Sequence, residues 1–257
     1  MNIIAIGTLA SFAAGAMTAL GATPVLFGRQ VSVRAHDTLL GFAAGIMLAA
    51  SFFSLIIPAI AAARRLYGGD FIPAGIAVAG VVLGAAVIAL GNEWIPHRHF
   101  VQGREGPASR SLSKVWLFIA AITIHNFPEG GAVGVGYAGG DFTNATALAV
   151  GIGLQNAPEG LAVAVALVAE GYARGRAFVI AGLTAVVEPV GGFLGVAAAS
   201  LSEPLLPWAL TFAAGAMIYV ISHEIIPETH TRGYQREATA GLTVGLALMM
   251  FLDVALG

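Results

Sequence analysis

The chain of 257 residues contains no cysteine, which excludes disulfides and thiolate metal ligands alike. Charge is almost as scarce. Only 10% of residues are Asp, Glu, Lys or Arg, against about 25% in an ordinary soluble domain, so a soluble fold is excluded. The formal net charge of −2 offers nothing to a nucleic-acid partner. The H-E-x-x-H pattern is missing and no Ser/His/Asp set is apparent, so an intramembrane metalloenzyme has no visible catalytic group. What remains is apolar: 58% of residues are hydrophobic and the mean hydropathy is +0.85. Apolar stretches recur along the whole length, each near the roughly 20 residues that carry a helix across a hydrocarbon core of about 30 Å. The composition therefore describes an all-α polytopic membrane protein embedded in a lipid bilayer. Its 34 glycines fit close helix packing in lipid, where small residues let backbones approach.

Apolar runs between polar breaks predict eight transmembrane helices in one transporter-sized domain, 1–257, at 2–27, 37–62, 72–94, 113–137, 143–169, 175–200, 206–228 and 239–256. The first run lacks the basic n-region of a signal peptide and stays apolar to Leu26, so it reads as a span. Connections are short except 95–112. Ten basic residues (Arg29, Arg34, Arg98, Arg104, Arg110, Lys114, Arg174, Arg176, Arg232, Arg236) fall in the odd-numbered loops, and only Arg64 and Arg65 fall in the others. The positive-inside rule makes the ten-residue side cytoplasmic and puts both termini outside. An internal repeat accompanies this: F-A-A-G-I-M at 42–47 with I-I-P at 56–58 returns as F-A-A-G-A-M at 212–217 with I-I-P at 225–227. On this orientation the two arms run oppositely, as in inverted-repeat transporters. A third copy of F-A-A-G-A-M, at 12–17, leaves open that the hexapeptide is a generic packing motif.

Between the arms stand two matched polar motifs, I-H-N-F-P-E-G at 124–130 and L-Q-N-A-P-E-G at 154–160. His125 and Glu129 are four residues apart and share a helix face, with Asn126 on its edge; Gln155, Glu159 and Asn156 repeat the pattern. Pro128 and Pro158 each deprive a carbonyl one turn back of its donor and are expected to kink their helices. The sixth helix adds Glu188, again followed by proline. Carboxylates at this depth cost several kcal/mol unless paired, protonated or bound to cations, and no Lys or Arg lies at their level. A divalent cation would supply the charge. Imidazole nitrogen with carboxylate and amide oxygens suits Zn²⁺, Fe²⁺ or Mn²⁺ rather than Cu(I). The other reading of these groups is interhelical hydrogen-bonding glue between protonated side chains. Helix 7 ends S-H-E-I-I-P-E-T-H, so His223, Glu224, Glu228 and His230 form either a metal exit station or a snorkelling, solvated end. His97 and His99 in the long loop are further candidates for that exit. Asp253 in helix 8 is either an entrance for cations or an interfacial charge. Ser54 and Asn92 read as packing or capping groups.

At H-N-F-P-E-G, Q-N-A-P-E-G, E-P-V-G-G at 188–192 and S-H-E-I-I-P-E-T-H, the chain resembles the bacterial branch of the ZIP (Zrt/Irt-like) family of divalent-metal transporters, over essentially its whole length. The resemblance implies eight helices in a 3+2+3 inverted repeat, residence in the inner or plasma membrane, commonly as a homodimer, and transport of Zn²⁺, and variously Fe²⁺, Mn²⁺ or Cd²⁺, into the cytosol. It implies an elevator-like movement of helices 1, 4, 5 and 6 and a binuclear centre with no prosthetic group. In that centre His125, Glu129, Gln155 and Glu159 hold one ion, while Asn126, Asn156, Glu159 and Glu188 hold the other, with Glu159 bridging. His223 and Glu224 match an exit site. Close bacterial relatives often have Asp where this chain has Asn156, which should weaken the second position, and often carry an additional N-terminal helix. A channel-like pathway, and a metal sensor or structural membrane protein without flux, are the competing functional readings.

Overall fold

The structure, a computed structural model, describes residues 2–28, 31–94, 97–99, 103–105 and 114–256. Its long helices are α1 Ile3–Phe27, α2 Val33–Tyr67, α3 Phe71–Trp94, α4 Lys114–Ala138, α5 Phe142–Ala169, α6 Arg174–Ser200, α7 Leu205–Thr229 and α8 Gln235–Leu256. Among the described residues, seven of them (all but α4) are long and apolar enough to cross a membrane. α4, with 25 residues, packs among these against α1, α5, α6 and α7. Within the stretch expected to be a loop at 95–112, His97–His99 (β1) pairs antiparallel with Gly103–Glu105 (β2). The side chains of Asn92, His97 and His99 lie outside the described residues.

Local chemistry sets where the helices begin and reverse. Asn2, Ser32 and Asp141 each offer a side-chain oxygen to a free N–H of the first turn, the usual N-cap role. Between α2 and α3 the chain turns through Gly68 and Gly69, with φ of 65° and 60°, a left-handed pair that side chains with a Cβ resist.

The rods are not uniform. α2 widens into a π turn at Ser51–Ile56 and α7 into another at Ile221–Ile225, each directly ahead of the I-I-P proline, Pro58 or Pro227. A proline leaves the carbonyl four residues earlier, here that of Ser54 or His223, without its helical donor. The wider turn re-registers the helix at that point. The two F-A-A-G-x-M/I-I-P segments thus share an uncommon backbone feature as well as a motif, which separates them from the third F-A-A-G-A-M copy in α1, where the helix instead tightens into a 3-10 turn at Thr23–Phe27. α4 and α5, by contrast, stay helical through Pro128 and Pro158. The interruption in the motif region falls in α6, where Arg174–Thr184 gives way to Val187–Ser200.

The helices divide into two groups by the way they touch. In α1, α4, α5 and α6, glycine faces main chain: Gly160 lies on Thr18, Gly130 on Glu188 and Gly134 on Gly192. The same holds in α2, α3, α7 and α8, where Gly41 lies on Ala238, Gly245 on Phe42 and Gly84 on Phe212. Between the groups, side chains meet instead: Gly151 of α5 faces the sulfur of Met249 in α8, within a buried cluster containing Ile46, Leu148, Ile152 and Met217. Gly134→Val should therefore separate α4 from α6, costing roughly 1–3 kcal/mol and lowering the thermal midpoint in detergent by several degrees. Gly75→Val on α3, with nothing within 4 Å of the new Cβ, should leave the midpoint unchanged.

Candidate metal centre

The glycine contacts of the first group set the depth and closeness of the site. Gly130 brings α4 onto the backbone of Glu188, and a Cβ at Gly15 of α1 would sit 3.0 Å from the Glu188 carboxyl carbon. His125, Asn126 and Glu129 of α4, Gln155, Asn156 and Glu159 of α5, and Glu188 of α6 are all buried, none more than 5% exposed.

Glu188 is held from three sides. Asn156 Nδ2 donates to both Glu188 carboxylate oxygens at 3.0 Å and to the Ala14 carbonyl at 3.0 Å. Ser11 Oγ donates to the Glu188 carbonyl at 2.7 Å. Because α6 restarts at Val187, Glu188 lies in the first turn of the new helical segment, where free N–H groups and the macrodipole favour negative charge. Asn156 is itself fixed, its Oδ1 accepting from Gln155 Nε2 at 2.7 Å.

The other carboxylates are not answered in this way. Both oxygens of Glu129, both oxygens of Glu159, both amide atoms of Asn126 and Oε1 of Gln155 are buried without a hydrogen-bond partner. Gln155 faces Glu129 but does not reach hydrogen-bond geometry. Orphaned polar atoms of this kind cost several kcal/mol each in a dry interior, and the carboxylate and amide oxygens among them, concentrated on the α4 and α5 motifs, could serve as ligands to a cation. A hydrogen-bonded glue would have its atoms paired. Among the described residues, no three His, Asp or Glu side chains already converge closely enough to hold an ion. Two of the candidate ligands are engaged elsewhere: Glu188 with Asn156, and His125 with α7.

That last contact crosses between the two helix groups. His125 Nε2 touches Glu224 Oε2 of α7, and Glu224 is buried. The sequence placed Glu224 with His223, Glu228 and His230 near the end of helix 7; the structure brings it beside the α4 motif as well. His223 stacks on Tyr219 with ring centroids 5.0 Å apart. Glu228 pairs with Arg232, whose Nη1 also lies 3.4 Å from Asp37 and 3.3 Å from His36. His230 contacts Thr229 and the Ile226 carbonyl. Asp37, a fully buried carboxylate that also lies 3.3 Å from His36 Nδ1, was not singled out from sequence, because its cationic partner Arg232 stands 195 positions away. Asp253 accepts from Ser54 Oγ at 2.7 Å, both buried, so Ser54 answers a carboxylate rather than merely filling space.

Membrane-length apolar helices enclosing buried imidazole, carboxylate and amide groups define the class: a polytopic membrane protein with a polar cluster inside its helix bundle. A family model described as ZIP zinc transporter matches residues 96–253. The zinc transporter GufA of Myxococcus xanthus is 47% identical over 252 residues, covering 98% of this chain and 99% of that protein. The zinc transporter ZIPB of Bordetella bronchiseptica is 46% identical over 252 residues, with 98% and 81% covered. The zinc transporter ZIP11 of Homo sapiens is 35% identical over 331 residues, with 97% and 96% covered. The chain belongs to the ZIP family of metal transporters.

Proposed function

We propose that this protein carries divalent transition-metal ions, zinc foremost, across a cell membrane through a midplane site between α4, α5 and α6. The observation that carries this reading is the set of buried, unpartnered donors on Glu129, Glu159, Asn126 and Gln155, in a chain whose relatives are named zinc transporters. The ligand sets are those of the family pattern: His125, Glu129, Gln155 and Glu159 for one ion, Asn126, Asn156, Glu159 and Glu188 for a second. Eight spans with both termini outside, and flux towards the arginine-rich side, complete the proposal.

The packing supports a carrier. Main-chain contact at glycine locks each helix group internally, whereas the boundary between groups is made of side chains that can exchange partners. Displacement of α1, α4, α5 and α6 against the rest would move the site, and the His125–Glu224 contact marks where an ion passes from the moving group to α7. His223, Glu228, His230, His97 and His99 then form the way out, and Asp253 with Ser54 the way in. In reconstituted vesicles, His125→Ala and Glu129→Ala should each cut initial uptake of radioactive zinc at least about tenfold, since even outer-shell losses change metal affinity by about that factor. Uptake at the wild-type rate in both would refute the site.

A further inference from the structure

We propose that the seam between the α4/α6 pair and the α3/α7 pair is a binding site for a single phospholipid acyl chain. Two hollows of about 250 Å³ each lie end to end along it, sharing Ala198, Ala209 and Phe212. The first is floored by Gly131, Gly191 and Gly195, which make it smooth and narrow. Its walls include Phe127, Leu194 and Phe212, which are 42%, 49% and 38% exposed, so it opens sideways out of the bundle. The second hollow reaches Leu205 and Trp208 at the start of α7.

Chemistry, depth and length select the occupant. The lining is carbon, so nothing there would hold water, an ion or a headgroup. From Leu205 to Ala216 the trough follows twelve residues of α7, about 16 Å of helix, close to half of a hydrocarbon core of about 30 Å. It therefore runs the depth of one leaflet. Trp208 stands at the end where an aromatic ring suits the headgroup boundary. Phe127 is the one exposed residue of the stretch His125–Gly130, so a chain in the trough presses on the outer face of the turn that carries Asn126 and Glu129. Occupancy would thus bear on both helix groups at once without touching a metal ligand.

The test uses full-length protein in vesicles of phosphatidylcholine containing a small fraction of the same lipid with a mid-chain diazirine. After illumination, adducts are mapped by mass spectrometry. Adducts at Phe127, Leu194 and Phe212 should exceed those at Val78 and Val82, on the exposed face of α3, several-fold at every fraction of labelled lipid. Ala209→Phe should bring trough labelling down to the α3 level and leave α3 unchanged; Ala198→Leu fills the same hollow if that variant does not fold. Equal labelling at both places in the wild type would mean ordinary surrounding lipid and would overturn the proposal. So would chain-to-chain crosslinks at the trough in place of lipid adducts, which would assign the seam to a second copy.

Discussion

Glu159→Gln is expected to abolish zinc uptake while making the metal-free protein more stable. Both oxygens of Glu159 are buried and unpartnered, and an ionised carboxylate at a membrane-helix centre costs about 2.5–3.5 kcal/mol on insertion scales. Glutamine keeps the shape and removes the charge, so the metal-free thermal midpoint should rise by a few degrees. Zinc at a hundred times its dissociation constant stabilises a folded protein by about 2.7 kcal/mol. That increment should be present in the wild type and nearly absent in the variant. Uptake should fall more than about a hundredfold, because the carboxylate that the family pattern shares between two ions is gone. If Glu159 were interhelical glue, glutamine would serve as well as protonated glutamate, and uptake and both melting curves would match the wild type. The pairing of higher stability with lost function is what a hydrogen-bonding role does not produce.

Asn156→Asp should move the protein the opposite way: less stable without metal, more strongly stabilised with it. The amide nitrogen of Asn156 spans both oxygens of Glu188, doing for that carboxylate what a cation would otherwise do. Aspartate cannot donate when ionised, and two carboxylates at about 4 Å repel by about 4 kcal/mol at an effective dielectric constant of 20. A divalent ion relieves that repulsion. Equilibrium dialysis should show zinc bound per chain rising by one at low micromolar metal, and the zinc-dependent midpoint shift should widen. Asn156→Ala removes the donor without adding charge, so it should lose stability and gain no zinc. Unchanged zinc binding in the aspartate variant would show that Glu188 belongs to packing rather than to an ion site.

The sequence made the class of fold readable because apolar runs report what surrounds a helix. The faces of α4 and α5 were readable because residues four apart align on one side of a helix. Partners were not readable. Nothing local ties Glu224 to His125, Ser54 to Asp253 or Asp37 to Arg232, since those pairings depend on which helix packs on which. The fold also contains departures that periodicity averages away: the π turns before Pro58 and Pro227, the restart of α6 at Val187, and the β ribbon between α3 and α4. The restart matters most for the site, because it sets Glu188 at a helix N-terminus, while hydropathy over 175–200 describes one unbroken run.

The two helix groups are interleaved along the chain, α1 in one, α2 and α3 in the other, then α4 to α6, then α7 and α8. The polypeptide therefore crosses between them three times, and each crossing is a leash. The stretch before α4 is long, but α6 and α7 are joined only by residues 201–204. Fully extended, that connection spans roughly 17 Å from Ser200 to Leu205. However the groups shift, those two helix ends can never part by more than this, so any internal movement must pivot or slide within reach of a four-residue tether.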